Sequence, residues 1–229
     1  MNLPYLAAVK SRDAYQEATV SVGDTQILIT EDDDSVWIAF RGTEGSVVGD
    51  WATDINFKLI HTLIGQVHQG FWEAFELVQP YVESKATSAL RDGKKLYLTG
   101  HSLGGALATV AFAWLEQGGL TPEHCYTFGS PRVFGKDTAH ALNRWWKPYM
   151  TRCVNNNDVV TRVPTRSMGY GHVGELEYHL EGGELVDEDA LTAWRLFWDR
   201  VDGRLEDFGE IGLDGLKDHS IDEYVELKG

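Results

Sequence analysis

The spacing of apolar positions along this chain changes several times, and each change marks a new element. Residues 1–18 interleave Lys10, Arg12, Asp13 and Glu17 with apolar residues, a weakly amphipathic pattern that predicts a helix. Residues 19–30 and 35–40 read as strands. The acidic run 31–34 between them reads as a solvated hairpin turn, since it lacks the spaced ligands and distal glutamate of a calcium loop. Within 70–90, Phe71, Phe75, Leu77, Val78, Val82 and Leu90 recur at helical spacing, with Pro80 predicting a kink or break.

Strand 96–99, helix 103–117, strand 124–128, helix 135–146 and strand 150–154 then alternate. That order predicts an α/β fold with a mostly parallel central sheet and helices on both faces. Residues 177–180 and 184–186 flank Gly182-Gly183 as a small hairpin. A stripe of Leu191, Trp194, Trp198 and Val201 reads as a core-packing helix, and 218–227 as a short closing one. A length of 229 residues fits one domain, 1–229.

Composition narrows the function. A net charge of -15 with no basic cluster repels phosphate backbones, so nucleic acid is not an expected partner. No apolar run reaches the roughly 20 residues of a membrane span. Residues 1–18 have no uninterrupted apolar core, so they do not read as a secretory signal, and the cytoplasm is favoured over secretion unless a signal has been removed. Cys125 and Cys153 each sit in a strand-like run and are expected as buried structural thiols, and no Cys/His spacing suggests zinc.

The chemistry is concentrated at Gly100-His101-Ser102-Leu103-Gly104-Gly105. An apolar strand leads into it and an apolar helix leaves it, the context of a strained corner that holds a serine hydroxyl out of the sheet. Glycines at 100 and 104 fit where strand and helix pass too closely for a Cβ. A nucleophilic Ser102 needs an acid and a base downstream, in the order serine, acid, histidine. Asp158 follows a strand, where open α/β sheets place their active groups. Of the eight histidines, His219 and His172 both lie in suitable loops. The late position favours His219, leaving His172 a supporting role. The amide of Leu103 is an expected oxyanion donor at the helix start, and Thr43, just past the strand ending at Phe40, is the expected second one.

These residues resemble the class 3 lipases, the fungal lipase-like branch of the α/β-hydrolases. The similarity runs through Phe40-Arg41-Gly42-Thr43, Asp50-Trp51, Asn56-Phe57, Gly100 to Gly105, Phe128-Gly129-Ser130-Pro131-Arg132-Val133, Asn157-Asp158-Val159-Val160, Val163-Pro164 and Asp218-His219. Phe134 departs from it, standing where glycine is expected. The resemblance implies an α/β-hydrolase fold, a Ser102, Asp158 and His219 triad, and an oxyanion hole of Thr43 and Leu103. It also implies a lid between Thr43 and Asn56, and Val47, Val48 and Trp51 fall on one face of a short helix there.

The resulting expectation is a serine carboxylic-ester hydrolase, a lipase or esterase, working through an acyl-enzyme. Its substrate would be a small-molecule or lipid ester, with transient contact at a lipid interface and no metal or organic cofactor. The alternatives are an acyltransferase or thioesterase with the same triad, and a lipase-like protein that binds without turnover.

Overall fold

The computed structural model describes residues 2–43, 57–180, 183–186 and 218–229. Among them, helix α1 (Leu3–Asp13) opens the fold, with the Asn2 side chain accepting the Tyr5 amide and Pro4 in the first turn. Strands β1 (Val20–Val22) and β2 (Thr25–Glu31) replace the single strand expected over 19–30. Gly23, at φ +56°, makes a tight turn between them that a Cβ would disfavour. Strand β3 (Ser35–Phe40) follows the acidic turn, in which Asp32 Oδ1 accepts the amides of Asp34 and Ser35.

Strands β4 (Leu59–Thr62) and β5 (Gly65–His68) form a hairpin with no counterpart in the apolar pattern. Helix α2 (Gln69–Arg91) runs through Pro80 without a break. Pro80 lies on the solvent face, where water can satisfy the carbonyl its ring leaves free, while Phe71, Phe75, Val78, Val82, Ala86 and Ala89 anchor both halves.

The central alternation is as expected. It comprises β6 (Lys95–His101), α3 (Leu103–Gln117), β7 (His124–Phe128), α4 (Lys136–Trp146) and β9 (Met150–Asn155), with a two-residue β8 (Phe134–Gly135) before α4. Phe134, the departure from the family pattern, is therefore a strand residue, buried in the core. Short strands β10 (Tyr170–Gly171), β11 (Glu175–His179) and β12 (Leu185–Val186) and helix α5 (Ile221–Lys228) follow, with 3-10 turns at Lys147–Tyr149, Val160–Arg162 and Arg166–Met168.

The main sheet has the order β1-β2-β3-β6-β7-β9-β11-β12, parallel from β3 to β11 and antiparallel at its edges. A smaller antiparallel sheet runs β10-β8-β5-β4. Every residue of β3 is buried because both faces of the main sheet are covered. Val36, Ile38 and Phe40 join the cluster formed with α2 and α3, while Trp37 joins Ala7, Ala8, Tyr97, Tyr126, Tyr224 and Val225 under α1 and α5. Cys125 and Cys153 are free and buried, and burial pushes the Cys153 thiol up to about 12, which leaves it protonated and inert. Among the described residues no helix is long and apolar enough to cross a membrane.

Candidate active site

Strand β6 delivers Ser102 to the cap of α3 with φ 56° and ψ -127°, a conformation that costs about 1–3 kcal/mol for a residue with a Cβ. Close packing enforces it. A Cβ at Gly100 would lie 2.2 Å from the Gly104 carbonyl oxygen, and one at Gly104 would lie 2.0 Å from that of Phe40. The Ser102 amide donates to the Phe128 carbonyl at 2.9 Å, tying the corner to the end of β7.

At the end of β9, Asp158 closes a turn by donating its amide to Asn155 O at 2.9 Å. Its carboxylate is fully buried and fully engaged. Oδ1 accepts the Val160 amide at 3.0 Å, Oδ2 accepts the Tyr224 hydroxyl at 2.6 Å, and His219 Nδ1 lies 3.0 and 2.9 Å from the two oxygens. Such a set compensates a carboxylate for its lost hydration. Because a carboxylate only accepts, Nδ1 of His219 carries the proton and Nε2 presents a lone pair.

The loop bearing His219 is held on several sides. Asn155 Nδ2 donates to Asp218 O at 3.1 Å, and Asn156 Nδ2 and the Asn157 amide donate to Asp218 Oδ2 at 3.1 Å each. The three asparagines ahead of Asp158 therefore bind the acid-bearing turn to the histidine-bearing loop. Gly129, at φ +58°, leaves the space between them open, since a Cβ there would meet Asp158 Oδ2 at 2.6 Å and His219 Nδ1 at 2.9 Å.

Ser102 and His219 are both buried, and among the described residues Ser102 Oγ and His219 Nε2 have no hydrogen-bond partner. The two atoms that a serine hydrolase uses to exchange a proton are thus both open. Leu103 is the first residue of α3, so its amide is among those a helix start leaves without an intrahelical acceptor. Thr43 is half-buried in the loop after β3. This loop is pressed against the corner, because a Cβ at Gly42 would fall 2.1 Å from Tyr15 Oη and 2.5 Å from the His101 carbonyl oxygen.

His172 is placed elsewhere. Its Nε2 donates to the Thr161 carbonyl at 2.8 Å, and Thr161 Oγ1 donates to the Asp158 carbonyl at 2.8 Å, so His172 braces the turn from behind. Val47, Val48 and Trp51, expected as a lid, like the stripe through Trp194 and Trp198, lie outside the described residues. Sequence reasoning passed over Tyr224 and Asn155 as site residues. Neither belongs to a motif: Tyr224 reaches Asp158 only through the packing of α5 against β9, and Asn155 ties the Asp158 turn to Tyr224 and Asp218.

A family model described as Lipase (class 3) matches residues 37–168. Secreted mono- and diacylglycerol lipase 1 of Fusarium solani is 38% identical over 178 residues, covering 75% of this chain and 52% of its own length. Secreted mono- and diacylglycerol lipase A of Penicillium cyclopium is 31% identical over 181 residues, 75% of this chain and 57% of its own. The chain thus spans about half the length of these relatives. Among solved structures, a triacylglycerol lipase whose catalytic centre is a serine protease triad superposes with a TM-score of 0.74 at 21% identity over 95% of this chain and 92% of that one. The triacylglyceride lipase of Rhizomucor miehei gives 0.70 at 20% identity, covering 95% and 90%. The fold is that of the α/β-hydrolases.

One expectation is corrected. The two mono- and diacylglycerol lipases are named as secreted, which points to secretion and away from the cytoplasm favoured on the pattern of residues 1–18. That pattern carries no export information, because Leu3–Asp13 is a helix packed into the fold through Ala7 and Ala8. From the family match over more than half its residues and the shared fold, this chain belongs to the class 3 lipase family.

Proposed function

We propose that this chain, acting as one domain, hydrolyses carboxylic esters of small molecules or lipids, with mono- and diacylglycerols the first substrates to test. The observation that carries the proposal is the buried His219, bonded through Nδ1 to Asp158 with Nε2 open, its ring 4.5 Å from that of His101, the neighbour of a strained and equally open Ser102. His219 takes the Ser102 proton as Oγ attacks the ester carbonyl, and the amides of Leu103 and Thr43 receive the charge that develops on its oxygen. His219 then returns the proton to the departing alcohol. Water, activated by the same imidazole, releases the acid and restores Ser102. Lipid substrates are met by transient contact at an interface.

The test is a panel of p-nitrophenyl esters of increasing chain length with mono-, di- and triacylglycerols beside it, for wild type and Ser102→Ala. Hydrolysis by wild type, lost in the variant, and labelling of Ser102 alone by a serine-directed phosphonate are expected. Turnover that survives the substitution overturns the assignment. A folded wild type that labels but hydrolyses no ester points to transfer or binding instead.

A further inference from the structure

His101 precedes the candidate nucleophile, and its side chain lies on the other face of β6. Tyr97, Thr99 and His101 alternate onto the face covered by α1, where Thr99 Oγ1 meets Ser11 Oγ at 2.8 Å and donates to Ala7 O at 3.2 Å. There the ring of His101 is enclosed by those of Tyr15, His219 and Tyr224, with centroids at 5.9, 4.5 and 5.9 Å, and the Arg41 guanidinium lies 6.0 Å from the Tyr15 ring.

Both ring nitrogens of His101 are used, and their roles are fixed. Nε2 lies 2.6 Å from the backbone oxygen of His219. A carbonyl can only accept, so Nε2 carries the proton. In the neutral ring Nδ1 then accepts, and the Tyr15 hydroxyl at 2.8 Å donates to it. The result is a directed chain from Tyr15 Oη–H to His101 Nδ1, and from His101 Nε2–H to the carbonyl of the residue read above as the base. It joins three parts of the chain that are far apart in sequence.

We propose that Tyr15 and His101 form a positioning relay that holds the backbone of His219 in register with Asp158 and Ser102, making His101 a positioning residue for ester hydrolysis. The inference rests on the triad reading of the previous section. Asp158 fixes the imidazole of His219 by its side chain, and the relay fixes the same residue by its backbone, so the ring cannot turn about one anchor. Burial, and then the neighbouring His219, hold His101 well below the usual histidine range. It therefore stays neutral, and no second positive charge opposes the one that forms on His219 during turnover.

The test measures kcat, KM and thermal unfolding with a soluble short-chain p-nitrophenyl ester for wild type, Ser102→Ala, Tyr15→Phe, His101→Leu and His101→Gln. Loss of the relay in His101→Leu is expected to lower kcat roughly 10- to 100-fold with little change in KM, as for a small misplacement of a catalytic group. His101→Gln, whose side-chain amide can donate to the same carbonyl, is expected to restore most of that loss, and Tyr15→Phe to fall between. A folded His101→Leu variant with wild-type kcat, or equal losses for Leu and Gln, overturns the relay.

If His101→Leu does not fold, Tyr15→Phe carries the test, since it deletes one oxygen from a half-buried ring. Proton NMR of the imidazole N–H groups gives a readout independent of turnover. Faster exchange of the His101 Nε2–H in Tyr15→Phe supports the relay, and an unchanged spectrum overturns it. If Ser102→Ala retains activity, the triad reading fails while the NMR result still decides whether the relay exists.

Discussion

Tyr224 donates its phenolic proton to Asp158 Oδ2 at 2.6 Å and accepts the Asn155 amide at 3.0 Å. Burial, and then the charge of Asp158, push the Tyr224 phenol well above its ordinary range, so it remains a donor. One hydroxyl on α5 thereby bridges the end of β9 and the buried carboxylate, a link made 66 residues along the chain from Asp158. Tyr224→Phe leaves a buried amide and a carboxylate oxygen each short of a partner. The expected cost is about 1–3 kcal/mol in unfolding free energy, measured by urea titration, together with a fall in kcat larger than any change in KM.

Gly129→Ala should be more damaging to activity than a surface Gly→Ala change such as one at Gly93, where an added Cβ meets nothing within 4 Å. At position 129 the methyl group would have to displace Asp158 or His219, and the φ of +58° strains any residue with a Cβ. A kcat reduced by at least about 100-fold is expected while the protein still folds, with circular dichroism as the control.

The two histidines once in competition should separate cleanly. His219→Ala removes the group bonded to Asp158 and is expected to lower kcat by about 10³-fold or more on a soluble ester. His172→Ala removes a brace on the Thr161 carbonyl, so it should show mainly as a lower unfolding temperature. The opposite ranking in steady-state kinetics would return the base to His172.

Acid should destabilise the fold in two consecutive windows. Burial lowers His68 from 6.5 to about 4, so between those values the unfolded chain takes up a proton that the native one refuses, and stability falls as pH drops through that range. For Glu177, burial acts upward but is outweighed by hydrogen bonds from His179 and Lys228, which bring it from 4.5 down to about 2. Its contribution is complete above 4.5 and is lost as pH falls toward 2. Urea midpoints followed from pH 7 to 3 should show a shallower upper slope in His68→Gln and a shallower lower slope in Glu177→Gln.

Local pattern alone determined the α/β alternation from β6 to β9, the serine corner and the positions of Asp158 and His219. Strand and helix periods are written in neighbouring residues, and glycines at 100 and 104 mark a contact that only a bare backbone permits. Pattern could not show that α2 survives Pro80, because that depends on which face meets water. Nor could it show the hairpin of β4 and β5, whose pairing is supplied by a second sheet through β8. The choice of His219 over His172 was favoured by chain order, and only the fold shows that Asp158 bonds to the first and not to the second. Tyr224, Asn155 and the pair of Tyr15 and His101 become parts of the site only when α1 and α5 pack on the same face of the sheet. Directional hydrogen bonds between residues this far apart are decided by tertiary packing, since nothing in the local sequence at either end specifies the partner.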